Sequence, residues 1–297
     1  MDILISVLEQ GLILSIAVFG VYITFKILDF PDMSADGTFP LGAAVTAVCL
    51  LKGINPFAAC ILSFAVGCIG GLLTGILHVR LKISNLLSGI LVMIALYSVN
   101  LRIMSKSNIP LFGKQTIFSG SGNVLVTIFI FMIIAKIALD LFLKTKLGFA
   151  LKAVGDNEQL VISLGLNKDN IKLIGLAISN GLIALAGSMM AQYQGFSDVG
   201  MGTGTVVMGL AAVIMGESIF GKIKFIKATT MGLLGSVVYK GVIAIALMVG
   251  LPPTDLKLVT ALIVTVALSL NGKKFSFKLK KSIEFGGGTL VKDTKPM

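Results

Sequence analysis

The chain has 297 residues, of which 56% are hydrophobic and only 13% charged, with a mean hydropathy of +0.98. A soluble domain carries about 25% charged residues, so this composition excludes a disordered chain, a nucleic-acid-binding domain and an ordinary cytosolic enzyme. The net charge of +11 comes from lysines in connections and in the tail, which fits orientation in a bilayer by the positive-inside rule and no nucleic-acid partner.

Apolar stretches of roughly 18–25 residues recur, each long enough to cross a ~30 Å hydrocarbon layer as a helix. They predict an all-α, polytopic transmembrane helix bundle. The first span covers 4–28 and has no basic segment before it, so it is expected to stay as a span and not be cleaved as a signal peptide. The polar, turn-forming segment Asp29-Phe30-Pro31-Asp32-Met33-Ser34-Ala35-Asp36-Gly37 follows. A shorter apolar piece, 38–51, comes next, and this second segment reads as broken or re-entrant. After a turn at 52–56 a third span runs to residue 77. A short basic loop, 78–84, leads to a fourth span ending near residue 104. Residues 105–122 are polar and read as an ordered loop outside the hydrocarbon, and the fifth span covers 123–143. Beyond the polar stretch 144–172, spans six to nine fall at 171–193, 205–220, 229–250 and 256–270. The count is about nine spans in one transmembrane domain, 1–270, with a basic tail at 271–297.

With the tail cytoplasmic, roughly 18 of the 25 basic residues share that side, against about five opposite. The N-terminus, with Asp2 and Glu9, then lies outside. Asp29, Asp32 and Asp36 fit this topology poorly as an exposed cytoplasmic loop and better as a segment buried in protein.

Catalytic equipment is missing. His78 reads as a solvated loop residue at a span end. Cys49, Cys60 and Cys68 lie in apolar segments without metal or redox spacing and read as small core residues. No ligand cluster has metal spacing and no phosphate-binding glycine loop with its lysine is present, so neither a cofactor nor nucleotide binding is expected. The substrate-pathway candidates are polar residues at membrane depth: Asp36, Asn100, Arg102, Asn180, Gln192 and Tyr193. For Arg102 and Tyr193 interfacial anchoring explains the residue equally well, and Asn180 also suits an interhelical hydrogen bond. Lys136 and Asp140, four apart, are expected to neutralise each other. Lys240 remains at membrane depth, and Glu217 is expected to face Lys222 or Lys240. The spacing Gly67-x-x-Gly70-Gly71-x-x-x-Gly75 reads as helix packing.

The connector is the unusual feature. Asn157 is placed to cap a helix through Leu164, with Glu158 and Gln159 in its first turn and Gly165 as its left-handed stop. Gly148, Ala150, Ala153 and Gly155 permit close backbone approach. These properties suit a plain connector and a docking element equally.

The stretch 148–167 resembles the cytoplasmic coupling segment of permeases from ABC importers of the branched-chain amino acid and ribose type. Two further stretches carry the resemblance in the family's order. One is Ile27-Leu28-Asp29 through Leu41-Gly42-Ala43, similar to that family's polar lead-in and small-residue half-helix. The other is Gly195-Phe196-Ser197-Asp198-Val199-Gly200-Met201-Gly202-Thr203-Gly204, which leads into a span ending Ile214-Met215-Gly216-Glu217. The DFPDMSADGTFPLGAA and GDNEQ stretches are most similar to the branch containing tryptophan and tyrosine uptake permeases, and the extra N-terminal span of the ribose type is missing.

The resemblance implies a permease subunit of an ATP-driven importer for a small solute, an aromatic amino acid being favoured. It implies three partners: a separate ABC ATPase subunit, an extracytoplasmic substrate-binding lipoprotein and a second permease copy forming a homodimer. Its coupling residues map to 144–170, in particular Gly148, Ala150, Ala153, Gly155, Asp156, Asn157, Glu158 and Gly165. A bulky residue at Gly155 is expected to uncouple ATP hydrolysis from uptake. The alternative is a stand-alone ion-coupled secondary transporter, for which Asp32 to Asp36 would form part of a broken-helix site.

Overall fold

Oxygen-bearing residues stand ahead of the apolar runs and start the helices by accepting from otherwise orphaned backbone N–H groups. Asn55, followed by Pro56 at the first helical position, opens α3 (Pro56–Val79). Ser84 opens α4 (Asn85–Met104), Asn123 opens α5 (Val124–Phe142), Thr145 opens α6 (Lys146–Asp156), Asn157 opens α7 (Glu158–Ser163) and Asn167 opens α8 (Lys168–Gln194). These precede α9 (Thr205–Phe220) and α10 (Ala228–Met248). The chain begins with α1 (Asp2–Val21), continued by a wider π turn, Tyr22–Ile27, and α2 spans Ala35–Leu51. The structure is a computed structural model that describes residues 2–266 except positions 121, 224, 253, 254 and 257.

Among the described residues seven helices are long and apolar enough to cross a membrane, and α2 is a shorter apolar one. The chain is a polytopic helical bundle, as its composition requires. Residues 256 and 258–266 are helical; the rest of the ninth predicted span, and the tail, lie outside the described residues. The sixth predicted span starts three residues early, at Lys168, because Asn167 caps it there.

Two faces of the bundle are defined by what lies on them. At the ribbon face, β1 (Asn108–Pro110) pairs antiparallel with β2 (Phe196–Asp198), with Ile109 opposite Ser197. This joins the ends of α4 and α8. The connector helices α6 and α7 lie at the opposite, connector face. The predicted loop 105–122 is tied to the ribbon face through Leu111 N–H to Gly195 O and Ile117 N–H to Gln192 Oε1.

The second segment is broken and does not re-enter. Pro31 has no N–H to continue the helix and disfavours helical backbone before it. The chain therefore leaves the π turn through Asp29 at φ 49° and climbs into the bundle before α2 begins. From there α2 runs on to the ribbon face, where Leu50 packs with Met104, Ile109 and Leu111. Of the three acidic residues on that side, Asp32 is buried and Asp36 half-buried, as expected of a segment enclosed in protein, whereas Asp29 is exposed.

Helix α8 is the central post, and small residues bring its neighbours onto its backbone. A Cβ added at Gly42 of α2 would meet the Ala184 carbonyl; at Gly187 of α8 it would meet the Phe39 carbonyl; at Gly71 of α3, the Leu176 carbonyl. Such contacts replace hydrophobic driving force in lipid, where dispersion and interhelical hydrogen bonds hold helices together. Buried hydroxyls add to them. Thr46 donates to Ser188 Oγ at 2.6 Å and lies 2.8 Å from Ser63 Oγ, and Ser63 donates to Gly42 O. Gly67, Gly71 and Gly75 of the predicted glycine spacing are the α3 side of this packing, while Gly70 faces Thr38 of α2 and Leu96 of α4. His78 is not simply solvated: its Nδ1 lies 2.9 Å from Ile83 O and its ring sits edge-on to Phe30.

Replacing Gly187 with Val should lower the thermal midpoint of the purified protein sharply, since overpacking a tight contact costs about 1–3 kcal/mol or more. Gly122→Ala, where a Cβ would meet nothing within 4 Å, should leave the midpoint unchanged.

Candidate functional site

Asp36 organises the middle of the bundle. It lies in the first turn of α2, and its two carboxylate oxygens accept from Gly204 N–H and Val206 N–H, both at 2.9 Å, at the start of α9. Two helix N-termini therefore meet at one carboxylate, a placement favoured by both helix dipoles. The depth follows from neighbours. A Cβ on the next residue, Gly37, would meet Met93 and Leu96, about midway along α4. Pro40 deprives the Asp36 carbonyl of its helical partner, and Gly202 packs directly against that carbonyl, where a Cβ would collide with it.

A second buried node stabilises the climb to α2. Asp32 Oδ1 accepts from Ser34 N–H and Ser34 Oγ, and its Oδ2 accepts from Asn180 Nδ2 at 2.7 Å. Asn180 also donates to Leu176 O. This closed network accounts for Asn180 as an interhelical tie.

The other pathway candidates disperse. Asn100 is fully buried, donates to Gly37 O at 3.1 Å and leaves its Oδ1 without a partner. Asn100 and Asp36 line one cavity of about 410 Å³ with Tyr97, Gly200 and Thr203. Gln192 holds the 105–122 loop and donates to Cys60 Sγ, while Tyr193 donates to Glu9 at 2.9 Å. Arg102 is exposed toward the end of α4. Lys136 pairs with Asp140 at 3.1 Å, and Asp140 also receives Lys227 and Thr229. Glu217 faces neither Lys222 nor Lys240: it pairs with Lys26 at 2.9 Å, because α9 runs beside α1 to the connector face. No group of three or more His, Cys, Asp or Glu residues able to hold a metal occurs among the described residues.

The connector contains two helices where the sequence suggests one. Asn157 caps α7 by accepting from Gln159 and Leu160 N–H, and Gly165 takes φ +73°. Ahead of it, α6 is seated on the bundle by Leu151 and Val154, which are buried, and by Gly155, whose added Cβ would strike the Ile27 carbonyl. Gly148 and Ala150 are likewise buried and Ala153 half-buried, so the small residues face the bundle. The outward side carries Asp156, Asn157 and Gly165 together with exposed apolar residues that the sequence reading passed over. Phe149, Leu160, Ile162 and Leu164 are 63%, 52%, 53% and 65% exposed. Their signal was present as bulky apolar residues in a stretch too polar to span. Glu158 is turned back to Lys168, at 2.6 Å, and to Lys172, which hold its carboxyl down to about 2.

A many-spanned helical bundle with two half-helices meeting at mid-depth and an amphipathic connector on one face has the architecture of a membrane permease. The chain belongs to the family described as "Branched-chain amino acid transport system / permease component", which matches residues 3–269. It is thus a permease component of an ABC-type transport system, embedded in the membrane. It is 55% identical over 275 residues to the "Tyrosine transport system permease protein" of Clostridioides difficile (strain R20291), covering 93% of each chain. It is 36% identical to "Uncharacterized protein RP368" of Rickettsia prowazekii (strain Madrid E), over 91% of this chain and 98% of that one. At 25% identity it also matches the "Galactofuranose transporter permease protein YtfT" of Escherichia coli (strain K12), over 93% and 79%.

Two predictions follow from the connector's seat. Gly155→Val should detach α6 from the end of α1, exposing the α6 amides to hydrogen exchange. Because the Glu158 carboxyl is depressed in the folded state, its ion pairs stabilise fully above its ordinary pKa of 4.5 and fade as pH falls toward 2. The thermal midpoints of wild type and Glu158→Gln should therefore differ slightly and constantly above pH 5, by the worth of a partly exposed pair (about 1 kcal/mol or less), and converge toward pH 2.

Proposed function

We propose that this chain forms the translocation pathway of an ATP-driven importer for an amino acid, an aromatic one being favoured, and that α6 and α7 dock a separate ATPase subunit. The observation that carries this reading is the exposed apolar side of the connector at Phe149, Leu160, Ile162 and Leu164. Exposed large apolar residues gathered on an otherwise polar segment suit a protein interaction site. Asp156 and Asn157 form its polar rim. Gly148, Ala150, Ala153 and Gly155 serve coupling indirectly, by seating the connector on the end of α1, and Glu158 and Gly165 fix its fold. The name of the 55%-identical relative supports the solute class.

The connector face is assigned to the cytoplasm, because the basic residues collect there. The ribbon face then meets the extracytoplasmic binding lipoprotein. The pathway passes the break between β2 and α9, where Gly200 and Thr203 are exposed. Non-helical backbone at that depth is tolerated only against protein or a water-filled cavity. This face, with the outer side of α4, is therefore where a second permease copy closes a pathway past Asp36 and Asn100. ATPase states that bind two permease conformations unequally would shift access from one side to the other.

Co-expression with a nucleotide-binding subunit tests the reading. The wild-type chain should co-purify with the ATPase. The double variant Phe149→Glu, Leu164→Glu should lose it at least tenfold, with an unchanged thermal midpoint. Accumulation of tyrosine by the chain alone in vesicles, driven by an imposed ion gradient, would overturn the reading in favour of a secondary transporter.

A further inference from the structure

Lys240 is halfway along α10, at a depth where a lysine is costly and is normally paired or faces a water-filled cavity. Its Nζ donates to the neutral Gln10 Oε1 at 3.2 Å, and among the described residues no carboxylate comes within ion-pair reach of it. It lines a cavity of about 270 Å³ with Gln10, and also one of about 410 Å³ that shares Gly200 with the cavity of Asp36 and Asn100. Thr205, at the first residue of α9, lines that second cavity with Lys240. It is 1% exposed, and its hydroxyl has no hydrogen-bond partner. A cation without a counter-ion and an unused buried hydroxyl thus share one chamber.

The rest of the wall is apolar and soft. Phe39, Met190, Phe196, Met201 and Met208 surround the chamber, and Asp198 stands in its wall with Oδ1 on Gly200 N–H and Oδ2 accepting from Asn108. Methionine and aromatic walls suit a flat apolar side chain. The volume is within the range of small-molecule sites.

We propose that this chamber is a binding site for a free α-amino acid with an aromatic or large apolar side chain. Its carboxylate would be received by Lys240 Nζ and Thr205 Oγ1, its ammonium by Asp198, and its side chain by the phenylalanines and methionines. The proposal rests on the reading of the chain as an amino-acid permease and names the groups that recognise the amino acid. Lys240 exchanges its weak bond to Gln10 for an ion pair when the ligand arrives, and a buried charge gains most from a partner of opposite sign.

The test is equilibrium binding of radiolabelled L-tyrosine to the full chain in nanodiscs. Wild type should bind it saturably and release it to 3-(4-hydroxyphenyl)propanoate, which keeps the carboxylate, far better than to tyramine, which lacks it. Lys240→Met should weaken tyrosine at least tenfold and erase the preference between the two competitors, Thr205→Val should weaken it a few-fold, and Lys240→Arg should retain most affinity. Should Lys240→Met fold poorly, protection of Lys240 from amine acylation by tyrosine in the wild-type chain gives the same answer. Absence of saturable binding, equal displacement by tyramine, or wild-type affinity in Lys240→Met would overturn the site. ATP-driven tyrosine uptake by the complete wild-type complex keeps the two levels apart. Uptake with an unchanged KM in Lys240→Met removes the site and leaves the permease reading, whereas no uptake by wild type removes the reading itself.

Discussion

A bilayer offers no water to an exposed backbone group, so a helix that ends at mid-depth must find partners for its orphaned amides inside the protein. This chain ends two helices there. One carboxylate, Asp36, makes that possible: it belongs to the first turn of α2 and accepts the amides that open α9. The surrounding sequence is shaped to it. Pro40 leaves the Asp36 carbonyl unbonded within its helix, and Gly202 is small enough to lie against that carbonyl. Two short helices, α2 of 17 residues and α9 of 16, are thereby joined at their N-termini inside the bundle.

The same meeting point is linked, residue by residue, to the connector. Gly155 of α6 rests on the Ile27 carbonyl at the end of the π turn, Leu28 and Leu151 meet at Gly175 of α8, and the chain then climbs to Asp32, bonded to Asn180. Four residues later comes Asp36. The seat of α6 at Ile27 and the meeting point of the two helices at Asp36 are therefore separated by fewer than ten residues of backbone. Contact alone is not coupling; a partner must bind two arrangements of this series with different affinity for it to switch.

The bundle was legible in the sequence because span length and hydropathy are set by the thickness of the bilayer, and the start of α7 because Asn157 is a short polar capping residue, whereas the cap at Asn167 was not read. Lys136 with Asp140 was legible as well, being four residues apart on one helix. What could not be read were pairings between distant positions. Asp36 acts on residues about 170 positions away, and Glu217 finds Lys26 only because α9 and α1 run side by side. The connector's small residues were visible as small, but whether they faced a partner or the bundle depended on how α6 is seated. Its exposed apolar residues were hidden by the opposite error, since an isolated Phe or Leu in a polar stretch reads as unremarkable until its neighbours in space are known.

Hydrogen exchange at Gly204, Thr205 and Val206 in nanodiscs, compared between wild type and Asp36→Ala, tests the central claim most directly. If Asp36 holds the start of α9, these amides are protected in wild type and exchange at least tenfold faster in the variant, while those of Gln159 and Leu160, capped by Asn157 on the connector, do not change. Equal protection of residues 204–206 in both proteins would show that the half-helices meet without that carboxylate, and the account built on it would be wrong.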